Sequence, residues 1–285
     1  MKIMPLERRG ISNSRLVLGC MPFGGVWDRS PITKEHMRRA EMALDAARSI
    51  GISMYDHADI YTMGKAEEIF GRIMQGMPNV REQIIIQSKC GIRFPEGDAP
   101  GRMDFSQSHI LGSVDGILER LRTDYLDVLL LHRPDALMEP DEVAEALTKL
   151  KASGKVRYFG VSNMSVGQIR FLQQAMPDPF VVNQLEMSLA RLDWLDQGIY
   201  VNQTAGATVN FSEGLMEHCQ MEKIQIQAWG PLAQGRFSGR STENEPESIQ
   251  KTAKLVEQMA LAKETTREAI VLGWLMKHPA MIQPV

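Results

Sequence analysis

Side chains able to transfer or position a proton lie at or just after the ends of strand-like apolar runs. Asp56, Lys89 and His132 each close such a run. Tyr61 follows on the loop after the first of them. In a barrel of parallel strands, side chains from the carboxyl ends of different strands converge, and such folds place their chemistry there. We therefore expect these four residues to form one site.

The residue types suit the reduction of a carbonyl group. Hydride addition leaves an alkoxide, so an acid must deliver a proton to the oxygen. Tyr61 can be that acid if an ammonium such as Lys89 stabilises its phenolate, because a phenol ordinarily has a pKa of about 10. Asp56 would hold Lys89 as an ion pair, and His132 would orient the carbonyl oxygen by a hydrogen bond. Taken alone, the Asp56 and Lys89 side chains fit a structural ion pair equally well.

Whole-chain properties narrow the class of protein. The chain has 285 residues and a net charge of −3, without a stripe of Lys or Arg that would attract nucleic acid. It has no signal-like N-terminus and no run of 18 apolar residues, so we expect a cytoplasmic protein that does not bind membranes. Cys20, Cys90 and Cys219 lack zinc-site spacing and are expected to be free thiols. No heptad pattern demands a partner, so a monomer is the expectation.

Strand and helix patterns alternate along the chain. The predicted strands after the first residues are Ser53 to Asp56, Ile84 to Lys89, Leu126 to Leu131, Val156 to Ser162, Val181 to Glu186 and Ile224 to Trp229. Helical segments, of which Lys34 to Ser49 is the first, separate the strands, which implies parallel pairing through crossovers. About eight such units predict a (β/α)8 barrel of the TIM type, in one domain over 1–285. A doubly wound sheet would need a GxGxxG turn, which the sequence lacks.

The N-terminal residues carry a turn signal. Short apolar runs surround Arg8-Arg9-Gly10 and Ser12-Asn13, and the second run, Arg15 to Leu18, leads into the first barrel strand. This pattern predicts an N-terminal β-hairpin that would plug one end of the barrel.

Several motifs resemble those of the aldo-keto reductase family over nearly the whole chain. The stretch Tyr55 to Tyr61 is similar to the family's Asp-x-Ala-x-x-Tyr signature, and Gly64 follows it. The stretch Leu131 to Asp135 resembles the family's histidine strand end, and Gly154 to Asn163 resembles a second family signature. These motifs occur in the family order with Lys89 between them, so their joint occurrence is more specific than any one alone.

The resemblance implies an eight-fold barrel that binds NADPH in an extended pose. It implies the catalytic tetrad Asp56, Tyr61, Lys89 and His132. Ser162, Asn163 and Gln184 would hydrogen-bond the nicotinamide carboxamide, and Trp229 would stack on the ring. The segment expected along the pyrophosphate contains Gly230, Pro231, Leu232, Gln234, Gly235 and Arg236.

Two of the candidate sites, one of them not yet described, also fit an ordinary structural role. Ser162 and Asn163 are suited to capping the next helix as well as to binding an amide. Trp27, on the loop after the first strand, is expected to line the substrate pocket, although an ordinary partly exposed aromatic residue fits equally well.

The leading hypothesis is a metal-independent oxidoreductase that reduces aldehydes or ketones to alcohols with NADPH, which becomes NADP+, and with Tyr61 as the acid. A nicotinamide-binding regulatory subunit and an inactive, truncated barrel are the alternatives. The sequence stops at Met281 to Val285, near the eighth strand. Family members continue there with a segment that grips the adenosine 2'-phosphate, so we expect the natural chain to be longer. No residue here supports NADP over NAD.

Overall fold

An eight-stranded parallel sheet forms the centre of the molecule. The computed structural model describes residues 2–77 and 79–285. Its strands are β1 Leu18–Gly19, β2 Met54–Asp56, β3 Ile85–Cys90, β4 Ile92–Arg93, β5 Arg102–Met103, β6 Leu126–Leu131, β7 Val156–Ser162, β8 Val182–Glu186, β9 Gln225–Trp229 and β10 Gln283–Pro284. The sheet order is β1-β2-β3-β6-β7-β8-β9-β10, whereas β4 and β5 form a separate antiparallel hairpin.

The curled sheet meets itself at its two ends. The amide of Val17 donates to the carbonyl oxygen of Pro284 at 2.9 Å, and that of Val285 donates to Ala228 at the same distance. These bonds join the last strand to the first and to its other neighbour, so the sheet has the closed form of a (β/α)8 barrel.

Helices follow most of the barrel strands. They are α1 Pro5–Arg8, α2 Lys34–Ser49, α3 Lys65–Gln75, α4 Gln107–Leu121, α5 Pro140–Ala152, α6 Val166–Gln173, α7 Asp193–Ile199, α8 Leu215–Met221, α9 Glu247–Ala262 and α10 Arg267–Met276. In the described part of the chain, none of them is both long and apolar enough to span a bilayer. Ser165 caps α6 by accepting from the amide of Gln168. This leaves Ser162 and Asn163 free of the capping role that the sequence also allowed.

The prediction of an N-terminal hairpin was wrong, because the segment folds as the short helix α1. Pro5 lies in its first turn, where a missing amide hydrogen costs nothing. Gly10 adopts φ +67° just beyond the helix, and the amide of Ile11 donates back to Leu6 at 2.9 Å. The Arg-Arg-Gly sequence therefore ends a helix, a common role of glycine. Leu6 and Ile11 are buried against Val128 inside the barrel.

All three cysteines are buried free thiols, as expected. Burial raises the pKa of Cys219 to about 12, and it raises those of Cys20 and Cys90 well above the ordinary value. These side chains are therefore uncharged packing groups at neutral pH.

Candidate active site

Lys89 is the centre of a buried polar cluster at the carboxyl end of the barrel. Its Nζ donates to Asp56 Oδ2 at 2.6 Å and to the carbonyl oxygen of His57 at 2.8 Å. A third bond, 2.9 Å long, joins Nζ to Tyr61 Oη. An ammonium group has three donors, so these partners account for all of them. The strand ends thus bring Asp56, Tyr61 and Lys89 into direct contact.

A tight turn places the phenol. Tyr61 begins a turn that runs to Gly64, and Thr62 and Met63 within it have φ values of 47° and 60°. The loop after β1 lies directly against this turn, because a Cβ on Gly24 would stand 2.7 Å from Lys65 Cβ and still closer to Thr62. The structure shows that a side chain at Gly24 would collide with the turn that carries Tyr61.

His132 lies beside the phenol, directly after β6. The ring centroids of His132 and Tyr61 are 5.9 Å apart, with the rings nearly perpendicular. Burial, together with the positive charges of Lys89 and Arg133, lowers the pKa of His132 to about 2. The imidazole is therefore neutral at physiological pH and can act as a hydrogen-bond partner without carrying charge.

The charges of the remaining groups follow from burial and contact. Burial raises the pKa of Tyr61, and Lys89 lowers it by a smaller amount, so the phenol holds its proton. Burial alone would lower the pKa of Lys89, but Asp56 and Tyr61 together raise it. The sequence correctly predicted the direction of the Lys89 effect on Tyr61, but burial outweighs it. The resting site contains a protonated phenol beside an ammonium.

A second polar group lies at the ends of β7, β8 and β9. Ser162 Oγ and the amide of Asn163 both donate to the carbonyl oxygen of Gln184, at 3.0 and 2.9 Å. Asn163 Nδ2 donates to Ser162 Oγ at 2.8 Å, and Trp229 Nε1 donates to Asn163 Oδ1 at 3.0 Å. Gln184 Nε2 donates to Asp56 Oδ1 at 3.1 Å. This bond connects the second group with the first.

The remaining predicted residues lie around these two groups. Gly230, Gln234 and Gly235 have φ values of 63°, 57° and 86° in the loop after β9. Arg236, at the end of that loop, donates through Nε to Glu245 at 2.8 Å. Trp27 is 47% exposed, and its ring centroid is 6.3 Å from that of Tyr61. Trp27 therefore lies next to the phenol with half of its surface open to solvent.

Comparisons with known proteins agree with this geometry. The model of the Aldo/keto reductase family matches residues 15–285. The chain belongs to the aldo-keto reductase family. It is accordingly an oxidoreductase of a family whose general activity is carbonyl reduction with NAD(P)H.

Two curated relatives and one solved aldo-keto reductase illustrate the match. An uncharacterized oxidoreductase, YcsN of Bacillus subtilis, is 38% identical over 82% of this chain and 73% of its own. A 6-dehydroglucose reductase of Agrobacterium fabrum is 34% identical over 95% of this chain and 83% of its own. The holo form of an aldo-keto reductase from Bacillus halodurans is 25% identical, with a TM-score of 0.71, over 95% of this chain and 80% of its own.

The polar interior of this aldo-keto reductase barrel was not among the features predicted from the sequence. Gln87, Gln227 and Gln283 are fully buried and hydrogen-bonded inside it. A signal was present, because side chains two residues apart on a strand point to the same face. Gln87 shares a face with Lys89, and Gln227 shares one with Trp229. The residues two positions before Lys89 and Trp229 therefore also point into the barrel.

Proposed function

We propose that the protein reduces aldehydes or ketones to alcohols with NADPH, and that Tyr61 is the general acid. The observation that carries this proposal is the 2.9 Å bond between Lys89 Nζ and Tyr61 Oη, with Asp56 behind the ammonium. A protonated phenol can donate to an alkoxide, and the adjacent ammonium stabilises the phenolate that remains.

Each member of the tetrad has a separate task in this proposal. Tyr61 delivers the proton, and Lys89 then holds the negative charge on the phenolate oxygen. Asp56 balances the ammonium while the site is at rest. The neutral His132 hydrogen-bonds the carbonyl oxygen and orients it toward Tyr61. Because His132 carries no charge, it does not compete with Lys89 for the negative charge that develops.

The second polar group fits the nicotinamide end of the cofactor. Ser162, Asn163 and Gln184 would hold the carboxamide, and the half-buried Trp229 would present a flat face to the ring. The fit is supported by Asn163 Oδ1, because a carbonyl oxygen that accepts from Trp229 can accept a second bond. When bound, the reduced nicotinamide supplies the hydride.

The loop after β9 is proposed to follow the pyrophosphate. Its members are Gly230, Pro231, Leu232, Gln234, Gly235 and Arg236. The positive φ values of Gly230, Gln234 and Gly235 turn the backbone sharply in this loop, and such turns can direct successive amides toward an anion.

The proposed substrate is a small carbonyl compound that enters past Trp27. The half-exposed ring beside Tyr61 supports this route. Because one relative is a 6-dehydroglucose reductase, an oxidised sugar belongs in the first substrate panel next to simple aromatic aldehydes.

The experiment compares the wild type with Tyr61→Phe. NADPH and NADH are titrated by tryptophan fluorescence, and 4-nitrobenzaldehyde is then added to measure turnover. We expect Tyr61→Phe to bind NADPH like the wild type but to lose about 10²- to 10⁴-fold in kcat, since only the proton donor is removed. Tyr158→Phe is the matched control, because Tyr158 is exposed on β7. Full turnover by Tyr61→Phe would contradict the role of the acid, and failure of the wild type to bind either cofactor would contradict the reductase.

A further inference from the structure

A chain of buried glutamines runs along the barrel axis behind Asp56. Gln87, Gln184, Gln227 and Gln283 come from β3, β8, β9 and β10, and each has at most 2% of its surface exposed. Burying a primary amide is costly unless it is hydrogen-bonded. An amide chain of this kind is therefore stable only if its members bond to one another in a consistent direction.

The end of the glutamine chain that lies next to Ser14 determines that direction. Gln283 Nε2 donates to the carbonyl oxygen of Ser14 at 2.6 Å, and a carbonyl oxygen can only accept. Gln283 Oε1 is then the atom that accepts from Gln227 Nε2, at 3.0 Å. Gln227 Oε1 accepts in turn from Gln87 Nε2 at 2.8 Å and from Gln184 Nε2 at 3.0 Å.

The other end of the chain agrees with this direction. Gln87 Nε2 and Gln184 Nε2 also donate to Asp56 Oδ1, at 2.6 and 3.1 Å. Each of these amides therefore directs one N–H to Gln227 and one to the carboxylate. With Oδ1 held by two amides, Asp56 presents Oδ2 to Lys89. A reversed amide would place an oxygen against the carboxylate.

We infer that Gln227 is a positioning residue for the reaction. Its single acceptor oxygen keeps the NH2 groups of Gln87 and Gln184 facing Asp56. These bonds hold Asp56 and Lys89 in the position from which Lys89 contacts Tyr61. This inference rests on the proposed function. It also assigns the polarity of Gln184: both N–H groups are used inside the barrel, so only Oε1 can meet a cofactor amide, as an acceptor.

The first test replaces the acceptor with a side chain of similar length. Gln227→Met removes the hydrogen bonds, and Gln225→Met is the matched control on the same strand. Gln225 is equally buried, but its Nε2 donates to the carbonyl oxygens of Ile226 and Met281. We expect Gln227→Met to lower kcat by about tenfold or more with little change in KM, because the catalytic pair is misplaced while substrate contacts persist. Gln225→Met should keep the wild-type kcat.

A conservative variant supplies a rescue that simple destabilisation would not show. In Gln227→Glu, a protonated carboxyl can accept from Gln87 and Gln184 and donate to Gln283 Oε1, which reproduces the wild-type pattern. Its ionised form loses that donor and adds a negative charge near Asp56. We expect the kcat of Gln227→Glu to exceed that of Gln227→Met at low pH. It should fall relative to the wild type as the pH rises.

A readout without turnover separates this inference from the proposed function. NMR of glutamine side-chain amides reports the Gln87 and Gln184 NH2 groups, which are assigned from their loss in Gln87→Met and Gln184→Met. We expect these signals to shift and to exchange faster with water in Gln227→Met, and to remain unchanged in Gln225→Met. If they shift but the wild type has no turnover, the reductase proposal fails while the positioning of Asp56 stands. Unchanged amide signals in Gln227→Met, or an unchanged kcat in Gln227→Met when the wild type is active, would overturn the inference.

Discussion

At the scale of single residues, the Asp56–Lys89 pair has the largest predicted effect on stability. Their side chains are 3% and 0% exposed. Removing one member of a buried pair leaves an uncompensated charge, so we expect Lys89→Met to cost about 3–5 kcal/mol. In Asp56→Asn/Lys89→Met, the amide oxygen can still accept from Gln87 and Gln184, and no charge is left unpaired.

The double variant should therefore be more stable than Lys89→Met alone. Urea unfolding of the wild type, both single variants and the double variant forms the cycle that measures this coupling. Additive losses would mean that the two charges are not coupled in the folded protein.

We expect Asp59 to make the free energy of unfolding depend on pH. Burial, together with the nearby Glu67, raises the pKa of Asp59 from 3.8 to about 7. The folded chain therefore binds this proton up to about pH 7, whereas the unfolded chain releases it near pH 4. The contribution of Asp59 to stability is complete below pH 4 and is lost as the pH rises to 7.

Asp59→Asn removes this titration. Its free energy of unfolding, relative to the wild type, should increase between pH 4 and pH 7, and urea titrations at several pH values would measure this. Asp98→Asn, which changes an exposed carboxylate, is the control. A constant difference across this range would show that Asp59 titrates as an exposed group does.

The positions of the proposed catalytic residues could be predicted, but their electrostatics could not. The end of a parallel strand is visible in the sequence, so the meeting of Asp56, Lys89 and His132 followed from strand pattern alone. The low pKa of His132 depends on how deeply neighbouring strands bury it. The glutamine chain depends on registers between strands far apart in sequence, which residue type does not reveal.

At the scale of elements, the contact between α3 and α4 depends on Gly71, which has no side chain. A Cβ on Gly71 would lie 2.7 Å from the carbonyl carbon of Leu121 and closer still to the carbonyl oxygen of Arg120. Backbone atoms cannot move aside as a flexible side chain can, so Gly71→Ala should force the helices apart. We expect a loss of stability of about 1–3 kcal/mol, as for other overpacked sites.

Gly112→Ala is the matched control for this contact. Gly112 lies within α4, and a Cβ there meets no atom of the described residues within 4 Å. This substitution should stabilise the protein by about 0.5–1 kcal/mol, because alanine favours the helix. Thermal unfolding of both variants tests the pair, and equal effects of the two substitutions would contradict a specific contact at Gly71.

Helices and strands were predicted correctly where a segment was long enough to show a repeating apolar pattern. The prediction failed where the segment was too short for such a pattern. The predicted helix Lys34 to Ser49 is present with the same bounds, because sixteen residues give several turns of pattern. The four-residue helix Pro5–Arg8 is too short for any period to appear. Its proline and the following glycine suit either a hairpin or a helix end, and packing of Leu6 and Ile11 inside the barrel favours the helix.

At the scale of the whole molecule, closure of the barrel depends on both ends of the sequence. The alternation of strands and helices predicted an eight-fold barrel. It also indicated a first strand after the run Arg15 to Leu18 and an eighth strand near Met281 to Val285. It did not show that only two residues of each segment, Leu18–Gly19 and Gln283–Pro284, pair in the sheet. Two-residue strands carry no periodicity, and only pairing with residues far along the chain defines them.

This closure predicts that the chain unfolds as one domain. Because the Val17–Pro284 bond joins β10 to the start of the sheet, loss of either end opens the whole barrel. We expect far-UV circular dichroism and tryptophan fluorescence to follow a single urea transition. Trp229 lies on β9, while Trp194 and Trp274 pack together at a ring distance of 5.6 Å, so fluorescence reports separate regions.

A variant at the closure sharpens this prediction. Val17→Pro removes the amide that donates to Pro284, whereas Val17→Ala shortens the side chain but retains that amide. Val17→Pro should therefore unfold at a lower urea concentration than Val17→Ala, since it loses both the closing bond and packing. Both variants should keep a single unfolding transition, because a barrel that opens at one edge exposes the inward-facing side chains of all its strands. Separate fluorescence and dichroism transitions in Val17→Pro would instead show that part of the sheet is stable without closure.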